Sequence, residues 1–203
     1  VHLLVLTDGS KGTWDPRADT EQLIATRREE QRAAADALGV REVHFLEFVD
    51  GELRHGRDEQ AAVCEVIRET RPEVVLGHDP WKRYRLHPDH EQAGRIVIEG
   101  IVAARDPHFF PALGDPHRPA RLLLFEAGEI DHVEDIMESV DKKIEALLCH
   151  RSQWESTHGI HAGSADEATQ RAAFEARVHE KARTAGTPAE LRVAEAFKRI
   201  EPL

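Results

Sequence analysis

The chain has 203 residues, of which 40% are hydrophobic, 32% charged and only 5% aromatic, a size that suits one domain or a domain with a helical appendage. No apolar run approaches the roughly 18 residues of a bilayer span, and no charged-then-apolar leader opens the chain, so neither a membrane nor a secreted protein is expected. The formal charge of −11 has the wrong sign for gripping a phosphate backbone, so no nucleic-acid partner is expected. Cys64 and Cys149 lie far apart and outside any C-x-x-C, which fits reduced thiols in a cytoplasmic setting. Arg outnumbers Lys 21 to 6, a bias expected of a GC-rich bacterial genome, and 13 histidines ask for a site.

In chain order, His2-Leu3-Leu4-Val5-Leu6 reads as a buried strand running into the loop Thr7-Asp8-Gly9-Ser10. A helix is predicted from about Thr20 to Leu38, with Gly39 closing it. Val43 to Leu46 is the next strand. Ala62, Val63, Val66 and Ile67 have helical spacing within 59–70, and Pro72 ends that helix. A third strand, Val74 to Gly77, enters a polar loop that begins at His78. Pro88 opens a helix with Ala93, Ile96, Val97, Ile101 and Ala104 on one face.

Four prolines and a glycine mark 106–119 as a loop, and Leu122 to Phe125 as a fourth strand follows it. A helix is predicted over 133–148, then two tail helices, 164–184 and 188–200, each opened by a capping-box pattern. Short apolar strands alternating with amphipathic helices predict an α/β fold, a Rossmann-like layered, mostly parallel sheet flanked by helices and followed by a C-terminal helical tail. In such sheets a site lies beyond the carboxyl ends of the strands.

The constellation that carries chemistry is His78-Asp79-Pro80, Tyr84 and His87-Pro88-Asp89-His90. Pro88 starts the helix, so His87 and His90 stand one turn apart and can share a cleft. Neutral imidazoles there suit Zn2+ and proton donation. On spacing alone a surface pair, with one histidine capping the helix, is an equally open reading. Asp8-Gly9-Ser10-Lys11-Gly12 lacks phosphate-loop spacing and reads as a glycine-permitted turn.

Val5-Leu6-Thr7-Asp8-Gly9, Arg27-x-x-Glu30, His78-Asp79-Pro80, His87-Pro88-Asp89-His90 and the late His150-x-Ser152-Gln153 occur in the order and spacing of one family. Over roughly residues 1–155 the chain resembles the LmbE/PIG-L family of zinc-dependent N-deacetylases. The resemblance implies His90 as a zinc ligand, His87 as the histidine that assists the tetrahedral intermediate, and Arg27 and Tyr84 as substrate contacts. An i, i+3 ion pair of Arg27 with Glu30 is an equally open reading.

The family's H-P-D-D-E motif, source of two zinc ligands and a carboxylate base, precedes the Thr-Asp-Gly strand and is not found in residues 1–203. The resemblance therefore implies a fold lacking its first strand and helix as given. It also implies Zn2+ that needs ligands beyond this chain, with an upstream in-frame extension expected to encode them. The expected organisation is an α/β domain over 1–155 and a helical extension over 156–203. The expected partner is a small N-acetylated molecule, and a homo-oligomer is compatible with the sequence. The alternative is a non-catalytic relative, a binding or partner-associated module that has lost the metal site.

Overall fold

The computed structural model describes residues 1–203. The chain divides into two compact units, residues 1–50 with 134–195, and residues 51–133 with 196–203. Residues 156–195 fall in the same unit as the first strand. No helix is long and apolar enough to cross a membrane.

In the first unit, β1 (His2–Thr7) pairs in parallel with β2 (Glu42–Phe48), with His2 opposite Glu42 and Leu4 opposite His44. Every residue of β1 is only half-buried, whereas a buried strand was predicted. A two-stranded sheet gives β1 one ladder partner and cannot cover both its faces and edges. α1 (Thr20–Ala37) connects the two strands; Asp19 caps it by accepting from the Gln22 N–H at 3.0 Å, and Ala34 and Ala35 are its buried residues.

α4 (Val140–Cys149) and α5 (Glu167–Gly186) complete this unit. Trp154, Ile160 and Phe174 form one cluster, with Leu147, Leu148 and Val178 packed against it. Trp154 meets its polar need by donating from Nε1 to the Leu148 carbonyl at 3.0 Å. Burial of each such aromatic contributes roughly 2–3 kcal/mol. Val140, Ala182, Val193 and Ile136 form a second cluster, so α5 is tied into the unit along its length.

In the second unit, β3 (Val74–His78) and β4 (Arg121–Phe125) are parallel in exact register, Val74 opposite Arg121 through His78 opposite Phe125. β6 (Ala194–Ile200) runs antiparallel to β4, and β5 (His132–Asp135) lies beyond it, giving the order β3-β4-β6-β5. The chain passes between the units within β5 and β6. Leu122, Leu123 and Leu124 are buried in succession, as expected of a strand covered on both faces. α2 (Arg57–Thr70) packs against α3 (Pro88–Arg105) at Gly100, where a Cβ would lie 2.5 Å from Val63 Cγ1.

Two segments expected to be helical are strands in part. Residues 132–135 form β5, and α4 begins only at Val140, after a turn in which the Ser139 and Val140 N–H groups donate to the Ile136 carbonyl. Residues 187–189 form a single 3₁₀ turn and 194–200 are β6 rather than a helix, with Phe197 opposite Phe125. In both cases pairing with a distant strand outweighs local periodicity.

Candidate metal centre

β3 ends at His78 and α3 starts at Pro88, with His87 as its N-cap residue. Pro88 supplies the helical φ and lacks an N–H that would be unpaired in a first turn. α3 lies tight against the end of β3 because residue 94 is glycine. A Cβ there would sit 2.5 Å from the His78 carbonyl oxygen and 2.9 Å from Pro80.

The two aspartates of the motif each accept from loop backbone, and Asp89 Oδ1 is buried without a partner. Asp79 is buried; its Oδ1 accepts from the Trp81 N–H at 2.9 Å and its Oδ2 from the Gly128 N–H at 2.8 Å, which joins the loops after β3 and β4. Asp89 is buried too and accepts from the Gly51 N–H at 2.6 Å.

Three imidazoles stack together. The rings of His78 and His90 lie 4.3 Å apart at 12°, and those of His90 and His87 lie 4.7 Å apart at 19°. Glu126, the residue just past β4, completes a group with His78 and His90 whose ligand atoms all lie within 4.8 Å of one another. Arg85 Nη1 lies 3.1 Å from His78 Nδ1 and 3.0 Å from a Glu126 oxygen. Its Nε and Nη2 are buried without a partner.

Electrostatics hold these groups in the states a metal needs. Burial, with help from His90 and Arg85, pushes His78 down to about 4. Burial, then His87 and Arg85, also lowers His90. Burial works to raise Glu126, but Lys82, Arg85 and His78 outweigh it and keep its carboxyl below the ordinary range. Two neutral imidazoles and an ionised carboxylate at this spacing fit a divalent cation.

The predicted site residues fare differently. His90 is in the cluster and His87 stands exposed at its rim. Tyr84 is 86% exposed at φ +63°, with Arg83 over its ring, and does not join the cluster. Arg27 donates to the Gly9 carbonyl at 2.8 Å in the loop after β1, while Glu30 accepts from the Ser152 N–H at 2.7 Å and Oγ at 2.6 Å. The R-x-x-E and H-x-S-Q segments thus lock together across 122 residues.

No substitute for the donors of H-P-D-D-E stands out from the sequence, yet His78 and Glu126 both lie within reach of His90. A signal existed. Each stands at the carboxyl end of a strand, and β3 and β4 are parallel neighbours.

The pattern of PIG-L: GlcNAc-PI de-N-acetylase matches residues 1–101. The diacetylchitobiose deacetylase of Thermococcus kodakarensis is 37% identical over 155 residues, 74% of this chain and 58% of that protein. The chain belongs to the PIG-L/LmbE family. Another relative, the 4-oxalmesaconate hydratase of Pseudomonas putida, is 29% identical over 173 residues, 76% of this chain and 64% of that protein. The chain thus spans about 58% and 64% of the lengths of these two curated family relatives.

Among solved PIG-L/LmbE structures, the N,N'-diacetylchitobiose deacetylase from Pyrococcus horikoshii superposes with a TM-score of 0.84 at 26% identity. The match covers 98% of this chain and 72% of that one. The layered α/β arrangement predicted from the alternating elements is the family's fold.

Proposed function

We propose that the protein is a Zn2+-dependent N-deacetylase that hydrolyses the acetamide of a small N-acetylglucosaminyl compound. The observation that supports this best is the convergence of His78, His90 and Glu126, with His87 one turn from His90, at the carboxyl end of β3. The deacetylase names of the Thermococcus and Pyrococcus relatives supply the reaction class. A bound divalent metal there supplies Lewis-acid polarisation of the scissile carbonyl.

The chain's residues supply donors for that metal and a group that can carry a proton. His90 is the metal ligand, and His78 and Glu126 are the further nitrogen and oxygen donors within its reach. Arg85, bonded to both, positions them. His87 is exposed and able to meet substrate, where it stabilises the oxyanion and passes a proton to the departing amine. Water supplies both the hydroxyl that joins the acetyl carbon and the proton that reaches the amine nitrogen as the C–N bond breaks, which gives acetate and a free amine. Tyr84, exposed on the loop before α3, is the substrate contact in this reading.

A second reading is addition of water to an unsaturated carboxylate. It is favoured by the hydratase name of one relative and by the unpaired Nε and Nη2 of buried Arg85, an edge suited to a carboxylate.

The test is amine and acetate release from N,N'-diacetylchitobiose by the metal-loaded protein. His90→Ala should lose metal and activity together. His87→Ala should keep the metal and lose about 10²–10³ in kcat, the size of one oxyanion-stabilising group, with KM little changed. Metal loss in the His87 variant, or retention in the His90 variant, would reverse the two roles. Consumption of an unsaturated dicarboxylate without amine release would select the hydratase reading. Turnover of neither by the loaded protein would leave the non-catalytic binding module.

A further inference from the structure

We propose that His2, Glu42 and His44 form a separate site for Zn2+ or a similar divalent transition-metal cation, at the amino-terminal ends of β1 and β2. None of these residues belongs to the His78 centre, which lies at the carboxyl end of β3.

The placement follows from strand periodicity. Glu42 and His44 are two apart on β2 and so share one face, and the parallel ladder sets His2 opposite Glu42 and Leu4 opposite His44. His2 therefore projects on the same face as its two partners. The three residues bring one ligand atom each to a common point, all within 4.8 Å.

The distances decide the chemistry. His2 Nδ1 and His44 Nε2 are 3.2 Å apart, and each is 3.8 Å from the same Glu42 oxygen. Zinc–nitrogen bonds of about 2.0–2.1 Å at a tetrahedral angle put two nitrogens roughly 3.3–3.4 Å apart. The two imidazoles thus already stand at a tetrahedral edge. Their side chains are 27% and 16% exposed, held by their surroundings, whereas that of Glu42 is 60% exposed and free to close the last few tenths of an ångström.

A proton shared between the rings satisfies one of these three contacts; a cation at their centre satisfies all three. Two imidazoles and a carboxylate suit Zn2+ over the hard, oxygen-seeking Ca2+ and Mg2+. Three protein donors leave the fourth position to water. Joining residue 2 to residues 42 and 44, the cation staples the two strands of this sheet and stabilises the folded unit by mass action.

The experiment uses the 203-residue chain carrying His78→Ala and His90→Ala, which removes both histidines of the other centre. Zn2+ titrated into it should bind with one equivalent per chain, raise Tm, and move the imidazole NMR signals of His2 and His44. Adding His44→Ala should abolish binding and the Tm rise, and Glu42→Gln should weaken both. Should any of these variants fail to fold, the ring signals of His2 and His44 are read in the unsubstituted chain. Absence of binding in excess Zn2+, binding that survives His44→Ala, or ring signals that stay still would each overturn the site and leave a plain His–His hydrogen bond.

Discussion

Arg68 is the side chain whose loss should cost this fold most. It sits in the last turn of α2, is 4% exposed, and donates to six backbone carbonyls. Nε reaches Ala104 at 3.2 Å; Nη1 reaches Phe110 at 2.8 Å and Gly114 at 3.3 Å; Nη2 reaches Ala103, Asp106 and Phe109 at 3.0, 2.9 and 2.8 Å. Ala103 and Ala104 lie in the last turn of α3, where carbonyls lack helical partners and the dipole favours a cation. The other four acceptors belong to the proline-rich loop that follows, so one guanidinium shapes a loop with little secondary structure of its own.

Hydrogen bonds from a charged donor are worth about 1.5–3 kcal/mol each but are not additive, and removing one partner of a buried charged network costs roughly 3–5 kcal/mol. Arg68→Met keeps the apolar stem and deletes the donors, so about that loss is expected. In a chain of this size each kcal/mol moves Tm by about 2–4 °C, which gives a fall of roughly 6–20 °C. Arg68→Lys should recover only part of it, because an ammonium cannot span six acceptors as a planar fork does. Urea denaturation measures the loss, and limited proteolysis within 106–119 localises it. An Arg68→Met chain within about 1 kcal/mol of the parent, with that loop no more readily cut, would refute the reasoning.

Three further outcomes are expected. In the metal-free chain His78 is neutral when folded, its ordinary 6.5 pushed down to about 4, so the native state binds fewer protons than the unfolded one. Stability is therefore full above pH 6.5 and is lost as pH falls toward 4, with a ceiling of roughly 3 kcal/mol; a denaturation series in pH that is less steep in His78→Phe would bear this out. Gly94→Ala should destabilise by about 1–3 kcal/mol and weaken metal binding, because its Cβ meets the His78 carbonyl rather than a movable side chain; an unchanged Tm would contradict this. Ser152→Ala removes the Oγ–H donor to Glu30 and leaves the backbone N–H bond in place, so it should cost roughly 1–2 kcal/mol, with a double-mutant cycle against Glu30→Ala returning that loss as coupling; additive losses would show that the hydroxyl plays no part in holding the two segments.

Where the chemistry is local, the sequence was sufficient. Gly39 marked the end of α1 and Pro88 the start of α3, because capping and φ restriction act within a few residues. The His87–His90 spacing followed from that one proline. The strand–helix alternation identified the layered fold, and the order of the motifs identified the family.

The tertiary structure decided everything that depends on a distant partner. Residues 133–135 and 194–200 carry enough helical spacing to read as helix, and their strand state rests on ladders with segments far along the chain. Glu126 reaches His90 only because β3 and β4 run parallel in register, which brings residues 78 and 126 to the same end of the sheet. The buried guanidinium of Arg85 between them and the Glu30–Ser152 lock were equally invisible. Periodicity states which face of an element is apolar; it is register, set by packing over the whole chain, that chooses which polar groups meet.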